Sequence, residues 1–288
     1  MQNLNKQKRV VSIQDISCFG KCSETVALPI ISAAGIETVI LPTAILSTHT
    51  GGFKNYTFLS LESQLDPISD HWKSLGLQFD GIITGYVGSN EMINKLDTII
   101  KKLSNEKTIV MSDPAMADNG VLYPGFDQEY VKAMNVLCNQ ADIVIPNLTE
   151  AAMMLGLPYQ EGPYTKEYIE DLLKKLTAQG PRIAILTGVY FEDDQLGGAA
   201  YDKESGKVFY AFSKKIPGYY HGTGDIFASS FFAAYLNNQN LERSLAIAVK
   251  FVHDAIQRTY IAKTEVRNGV DFEAGLGEYA QMVKGSNE

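Results

Sequence analysis

Short apolar runs alternate with longer amphipathic stretches along most of the chain. Residues 9–13, 36–41, 81–84, 108–111, 142–145 and 182–186 are brief, continuous and rich in β-branched side chains. That pattern suits strands buried on both faces. Between them, apolar positions recur at helical spacing. Tyr168, Ile169, Leu172, Leu173 and Leu176 follow Thr165, a residue suited to cap a helix start. Leu241, Leu245, Val249, Val252 and Ile256 mark a second helix face. Ser23 stands as a cap before an apolar segment that stops at Gly35, and Pro29 inside it predicts a kink or a late start.

Strands alternating with helices predict βαβ units and a mainly parallel sheet covered on both sides. Residues 196–201 and 207–212 break that rhythm, because they flank Glu204-Ser205-Gly206 and read as an antiparallel hairpin. The expected fold is α/β, three-layer α/β/α. No repeat or Pro/Ser-rich linker interrupts it, so one domain is expected over residues 1–288.

Composition narrows the classes. A net charge of −8 over 288 residues, with Lys and Arg dispersed, argues against a nucleic-acid partner. No apolar run nears the roughly 20 residues that a membrane helix needs. The polar start, residues 1–9, does not resemble a signal peptide. Cys18, Cys22 and Cys138 are odd in number and lack zinc spacing, so reduced thiols and a cytoplasmic setting are expected. The sequons at Asn55 and Asn147 are then chance matches.

Several motifs fail. Gly20-Lys21 lacks the upstream glycine of a phosphate loop, and no HExxH or GxSxG occurs. Gly275-Leu276-Gly277 begins a GxGxxA string, but no strand precedes it. Ligands of parallel sheets gather at the carboxyl ends of strands. Small and polar residues recur there: Asp15, Thr43, Tyr86, Asp113, Asn147 and Thr187.

The most informative segment is Gly222-Thr223-Gly224-Asp225, followed by a small-residue helix. It predicts a helix N-terminus with free N–H groups, an anion-attracting nest, and Asp225 in the first turn. Such a nest can stabilise charge on a transferring phosphoryl group, while the carboxylate accepts a proton from an attacking alcohol. On these four residues alone, a tight turn with an Asp cap is an equal reading. Likewise Asp113-Pro114 can be a turn, Tyr86 ordinary packing, and Asn147 with Glu150 a capping box.

The segment resembles the anion hole of ribokinase-like kinases, and the chain is similar to their pyridoxal/pyridoxamine kinase branch. Ser12-Ile13-Gln14, Ser47-Thr48-His49-Thr50-Gly51, residues 84–89, Asp113-Pro114 and residues 146–150 match that branch in order. The resemblance implies an ATP-dependent kinase for the 5′-hydroxymethyl group of a B6 vitamer. Asp225 would be the base, with Gly222, Thr223 and Gly224 as the anion hole. Asp15, Thr43, Ser47 and Tyr86 would hold the vitamer, with His49 a weaker candidate. Asn147 and Thr187 would contact ATP, and Asp113 and Glu150 would hold Mg²⁺–ATP directly or through water. A homodimer is the family expectation, and a monovalent cation such as K⁺ stays open.

Two departures stand out. Asp15 replaces the small hydroxyl residue usual after the strand-1 glutamine, which would favour an amine or a protonated ring nitrogen. Thr187-Gly188-Val189 also differs from the family pattern at the nucleotide end. Residues 115–125, bounded by glycine, suggest a flap. Alternatives are a hydroxymethylpyrimidine kinase of the same superfamily and a non-catalytic B6-binding protein.

Overall fold

The structure, a computed structural model, describes residues 7–285. Its strands in chain order are β1 (Arg9–Ile13), β2 (Ile16–Ser17), β3 (Glu37–Ile40), β4 (Ala44–Leu46), β5 (Phe58–Ser60), β6 (Gly81–Thr84) and β7 (Ile109–Ser112). They continue with β8 (Ala117–Asp118), β9 (Val121–Leu122), β10 (Ile143–Val144), β11 (Ile183–Val189), β12 (Gln195–Asp202) and β13 (Lys207–Lys214). The helices are α1 (Glu24–Ala33), α2 (Glu62–Ser74), α3 (Asn90–Leu103), α4 (Gln128–Asn139) and α5 (Leu148–Met154). After these come α6 (Lys166–Ala178), α7 (Thr223–Leu236), α8 (Leu241–Ala262) and α9 (Leu276–Lys284).

Eight strands form the central sheet in the order β13-β12-β11-β10-β7-β6-β1-β3. The six from β3 to β11 pair in parallel, and β11-β12-β13 is the antiparallel end. Alternate residues of each strand feed two cores, as the period of two requires. Val11, Ile82 and Val110 face the helices α3 to α6. Val10, Ile83 and Met111 face α1, α7, α8 and α9. The three-layer expectation therefore holds. The short apolar runs are strands because both of their faces are covered.

Local signals mostly behave as chemistry dictates. Thr165 accepts from the Tyr168 N–H and caps α6, and Asn147 and Glu150 form a full capping box on α5. Ser23 is the exception. It stands at the N-cap of α1, yet its side chain accepts no capping bond. The helix starts immediately after it, so the late start suggested by Pro29 does not occur.

β1 lies between β3 and β6, which the chain reaches in opposite directions. The topological switch point, and with it the crevice, falls at the carboxyl end of β1. A separate three-stranded sheet, β2-β4-β5, stands beside that end.

Candidate active site

The carboxyl ends of β1, β6, β7, β10 and β11 open on one cavity of about 720 Å³. That volume suits a small-molecule ligand. Its wall includes Asp15, Tyr86, Asp113, Asn147, Glu150 and Thr187, together with the whole run from Gly222 to Asp225. Residues distant in sequence are thus brought together as expected, with two exceptions. Thr43 is buried with an unpartnered hydroxyl, off the cavity. Ser47 also lies off it, its Oγ accepting from the Thr57 N–H at 2.9 Å across the β4–β5 turn. The Ser47 hydroxyl thus serves the β4–β5 turn, while the Thr43 hydroxyl makes no bond within the protein.

The glycine nest forms because Gly222 adopts the left-handed conformation, φ 76°, as N-cap of α7. A Cβ there would sit 2.2 Å from the Lys21 carbonyl oxygen, whereas one at Gly224 would meet nothing within 4 Å. Only glycine fits the first position, and the second leaves open space beside the cavity. The first N–H groups of α7 have no intrahelical acceptor and carry the positive end of the helix dipole. Asp225 sits among them. Burial, with the charge of Asp15 adding to it, raises its carboxyl to about 6, although the Ser23 N–H donates to Oδ2 at 3.0 Å and pulls the other way.

Linked to Asp225 through Ser23, Asp15 accepts from Ser17 Oγ at 2.8 Å and from Ser23 Oγ at 2.6 Å. Burial nevertheless raises its carboxyl above the ordinary range. The Tyr86 phenol, pushed up to about 12 by burial and by Asp15, stays protonated and able to donate. Behind both aspartates lies Glu24, 2 % exposed, which the sequence did not reveal as part of this centre. Burial, then the charges of Asp15 and Asp225, push it up to about 8. Ser12 and the Gln14 backbone soften that shift without making well-formed hydrogen bonds, so both carboxyl oxygens stand unpartnered.

Asp113 and Glu150 face each other at the nucleotide end. Burial and the charges of Glu150 and Asp225 raise the Asp113 carboxyl well above its usual range. Its Oδ1 accepts from the Ala115 N–H at 3.2 Å. Glu150 is pushed up to about 7 by burial. Its Oε2 accepts from the Asn147 N–H at 2.9 Å and its Oε1 from the Met116 N–H at 2.8 Å. Glu150 therefore braces the chain on either side, each of its oxygens accepting a backbone N–H.

Among the described residues no group of three His, Cys, Asp or Glu forms a metal cage. The donor set still fits Mg²⁺, a hard cation that keeps most of its waters and takes one or two carboxylates. Mutually repelling buried carboxyls are what such a cation relieves.

Residues 115–125 carry the β8–β9 hairpin and are held to the rest of the wall by three hydrogen bonds. Asn147 Nδ2 donates to the Ala117 carbonyl at 2.7 Å, Thr149 Oγ1 accepts from the Gly120 N–H at 3.0 Å, and Tyr219 donates to Asp118 at 2.7 Å. Asp118, Tyr123 and His221 also line the cavity. The sequence offered only the Ala115-to-Gly125 loop and the residue before Gly222 as signals for them. His49 donates from Nε2 to the Arg267 carbonyl at 2.7 Å and accepts the Gly51 N–H on Nδ1 at 3.0 Å. Each ring nitrogen is thus used as a neutral imidazole would use it, and His49 ties its loop to the C-terminal turn.

Residues 28–270 match the model of the phosphomethylpyrimidine kinase family. The chain belongs to this family. A pyridoxal kinase from Lactobacillus plantarum is 34% identical, with a TM-score of 0.86 over 95% of this chain and 97% of its own. A Bacteroides thetaiotaomicron protein with a provisional phosphomethylpyrimidine kinase name, solved with pyridoxal, is 33% identical. Its TM-score is 0.91 over 96% of each chain. The pyridoxal kinase of Dictyostelium discoideum is 24% identical over 97% of each chain. These similarities place the chain in the pyridoxal kinase branch of the ribokinase-like kinases.

Proposed function

We propose that this chain is a kinase that transfers the γ-phosphoryl group of ATP to the 5′-hydroxymethyl oxygen of a B6 vitamer. The observation that carries the reading is the convergence of Asp225 in its glycine nest with Asp15 and Tyr86 on one cavity. In this reading Asp225 accepts the hydroxyl proton as the oxygen attacks phosphorus. The N–H groups of Gly222, Thr223 and Gly224 stabilise the charge that develops on the phosphoryl oxygens. Asn147 and Thr187 contact the nucleotide phosphates. Asp113 would hold Mg²⁺ with the nucleotide, and Glu150 would reach it through water. When bound, that cation supplies charge neutralisation to the phosphates.

Because the base must be ionised, kcat/KM is expected to fall as pH drops below about 6, approaching tenfold per unit. A flat profile down to pH 5 would remove Asp225 from that role. Asp15 favours vitamers that carry an amine or a protonated ring nitrogen. Replacing it by Ser should lower the pyridoxamine-to-pyridoxal ratio of kcat/KM by about tenfold, the order of one charge-assisted hydrogen bond. An unchanged ratio would sink that role.

The deciding assay follows ATP consumption with pyridoxal, pyridoxamine, pyridoxine and hydroxymethylpyrimidine side by side. Turnover with the pyrimidine alone would overturn the B6 reading. The exposed Ile45, Phe58 and Leu59 on the smaller sheet support the expected homodimer. The free thiols support a cytoplasmic setting, and the cavity formed by strands from β1 to β11 supports a single catalytic domain.

A further inference from the structure

Ser23 breaks a local rule, and it does so between the two aspartates of the cavity. A serine in front of a helix ordinarily caps it by accepting an N–H of the first turn. Here the hydroxyl turns away and donates to Asp15 Oδ1 at 2.6 Å, while the backbone N–H donates to Asp225 Oδ2 at 3.0 Å. The residue is 5 % exposed, so bulk water has little access to its hydroxyl. Its backbone sits at φ 55°, ψ −127°, a conformation that glycine adopts freely and other residues rarely. Such a conformation costs on the order of 1–3 kcal/mol and persists only where the surroundings enforce it.

The surroundings do enforce it. Lys21, also at positive φ, anchors the same loop by pairing with Asp271 and Glu273, each at 3.0 Å. From the other side, the Glu24 N–H donates to the Asp15 carbonyl at 3.1 Å. The hydroxyl bond to Asp15 holds the strained backbone, and the strained backbone aims the N–H at Asp225.

We propose that Ser23 is a positioning residue that fixes the Asp225 carboxylate relative to the acceptor pocket by bridging it to Asp15. With Oδ2 engaged by this N–H, Oδ1 is left for the acceptor hydroxyl. The inference rests on the reading of Asp225 as the base. It explains why a residue with a Cβ occupies a position whose backbone suits glycine: the hydroxyl is what glycine lacks.

The test compares Ser23→Ala, Ser23→Gly and Asp225→Asn with the unaltered protein, using ATP and the best vitamer. Ala loses the anchor and keeps the strain, so its kcat should fall about ten- to a hundredfold, the scale of a misplaced reacting group. KM for ATP should stay within about twofold, since Ser23 bonds to Asp15 and Asp225 and to neither Asn147 nor Thr187. Gly loses the same hydroxyl but tolerates the backbone, and should recover several-fold of the lost kcat. Melting temperatures are recorded for each variant.

Unchanged kcat in the alanine variant, or equal impairment in both, overturns the bridge. A loss that follows a falling melting temperature in both variants also overturns it, in favour of a merely structural serine. Turnover surviving in Asp225→Asn defeats the base assignment and the bridge together. An inactive Asp225→Asn beside a fully active Ser23→Ala defeats the bridge alone.

Discussion

Asp225→Asn should lower turnover by about 10²–10⁴-fold, the range that general acid–base catalysis supplies. The amide has nearly the shape of the carboxylate and still accepts the Ser23 N–H through its oxygen. It cannot take the acceptor proton. Vitamer and ATP binding should largely survive, because Asp15, Tyr86 and the N–H groups of the nest are untouched. Equilibrium binding measured beside turnover separates the two effects. A non-catalytic B6-binding protein would behave differently, with tight binding, no ATP consumption in the unaltered chain and no response to the change. Normal turnover in the variant would refute the base.

The glycines on either side of Thr223 should part company in an equally large way. Gly222→Ala places a Cβ 2.2 Å from the Lys21 carbonyl oxygen, at a φ of 76°. The conformation alone costs about 1–2 kcal/mol, and the clash is with backbone that cannot swing aside. Melting should therefore come several degrees lower, and kcat about 10²–10³-fold lower as the nest opens. Gly224→Ala meets no atom within 4 Å. Its melting temperature should hold or rise slightly, because alanine favours the helix by up to about 1 kcal/mol. Turnover should still drop, since the methyl group stands beside the cavity where the phosphoryl group passes. Similar melting temperatures for the two variants would show that the left-handed turn is not needed.

Much of this was legible from residue order. The buried strands announced themselves by continuous apolar runs, and Thr165 and Asn147 capped where the pattern put them. The residues that follow strand ends are close to the chain's own turning points, so Asp15, Tyr86, Asp113 and Thr187 could be picked out one by one. Other parts depend on side-chain direction. Thr43 and Ser47 sit in the right stretch but off the cavity, the Ser47 hydroxyl serving a turn and the Thr43 hydroxyl buried without a partner. Glu24 looked like an ordinary first-turn acid of a helix. Only packing shows that it lies behind two other carboxyls with no partner. Ser23 was misleading for the opposite reason. Its type and position predict a cap, and a tertiary contact with Asp15 outcompetes that local bond.

The burial of α7 has a consequence for how such a protein can change over time. From Ile226 to Ala234 every residue of that helix is buried, against α1 on one side and α8 on the other. The end of the molecule that holds Asp225 is thus tied to the packing of the whole interior, where most substitutions would be felt. Another part of the wall is built from the turn at Thr50 to Gly52 and the small sheet, which stand nearer the surface and make no bond to Asp225. Drift there can reshape what is accepted while the phosphoryl-transfer end stays fixed. Libraries aimed at new acceptors are best confined to those loops.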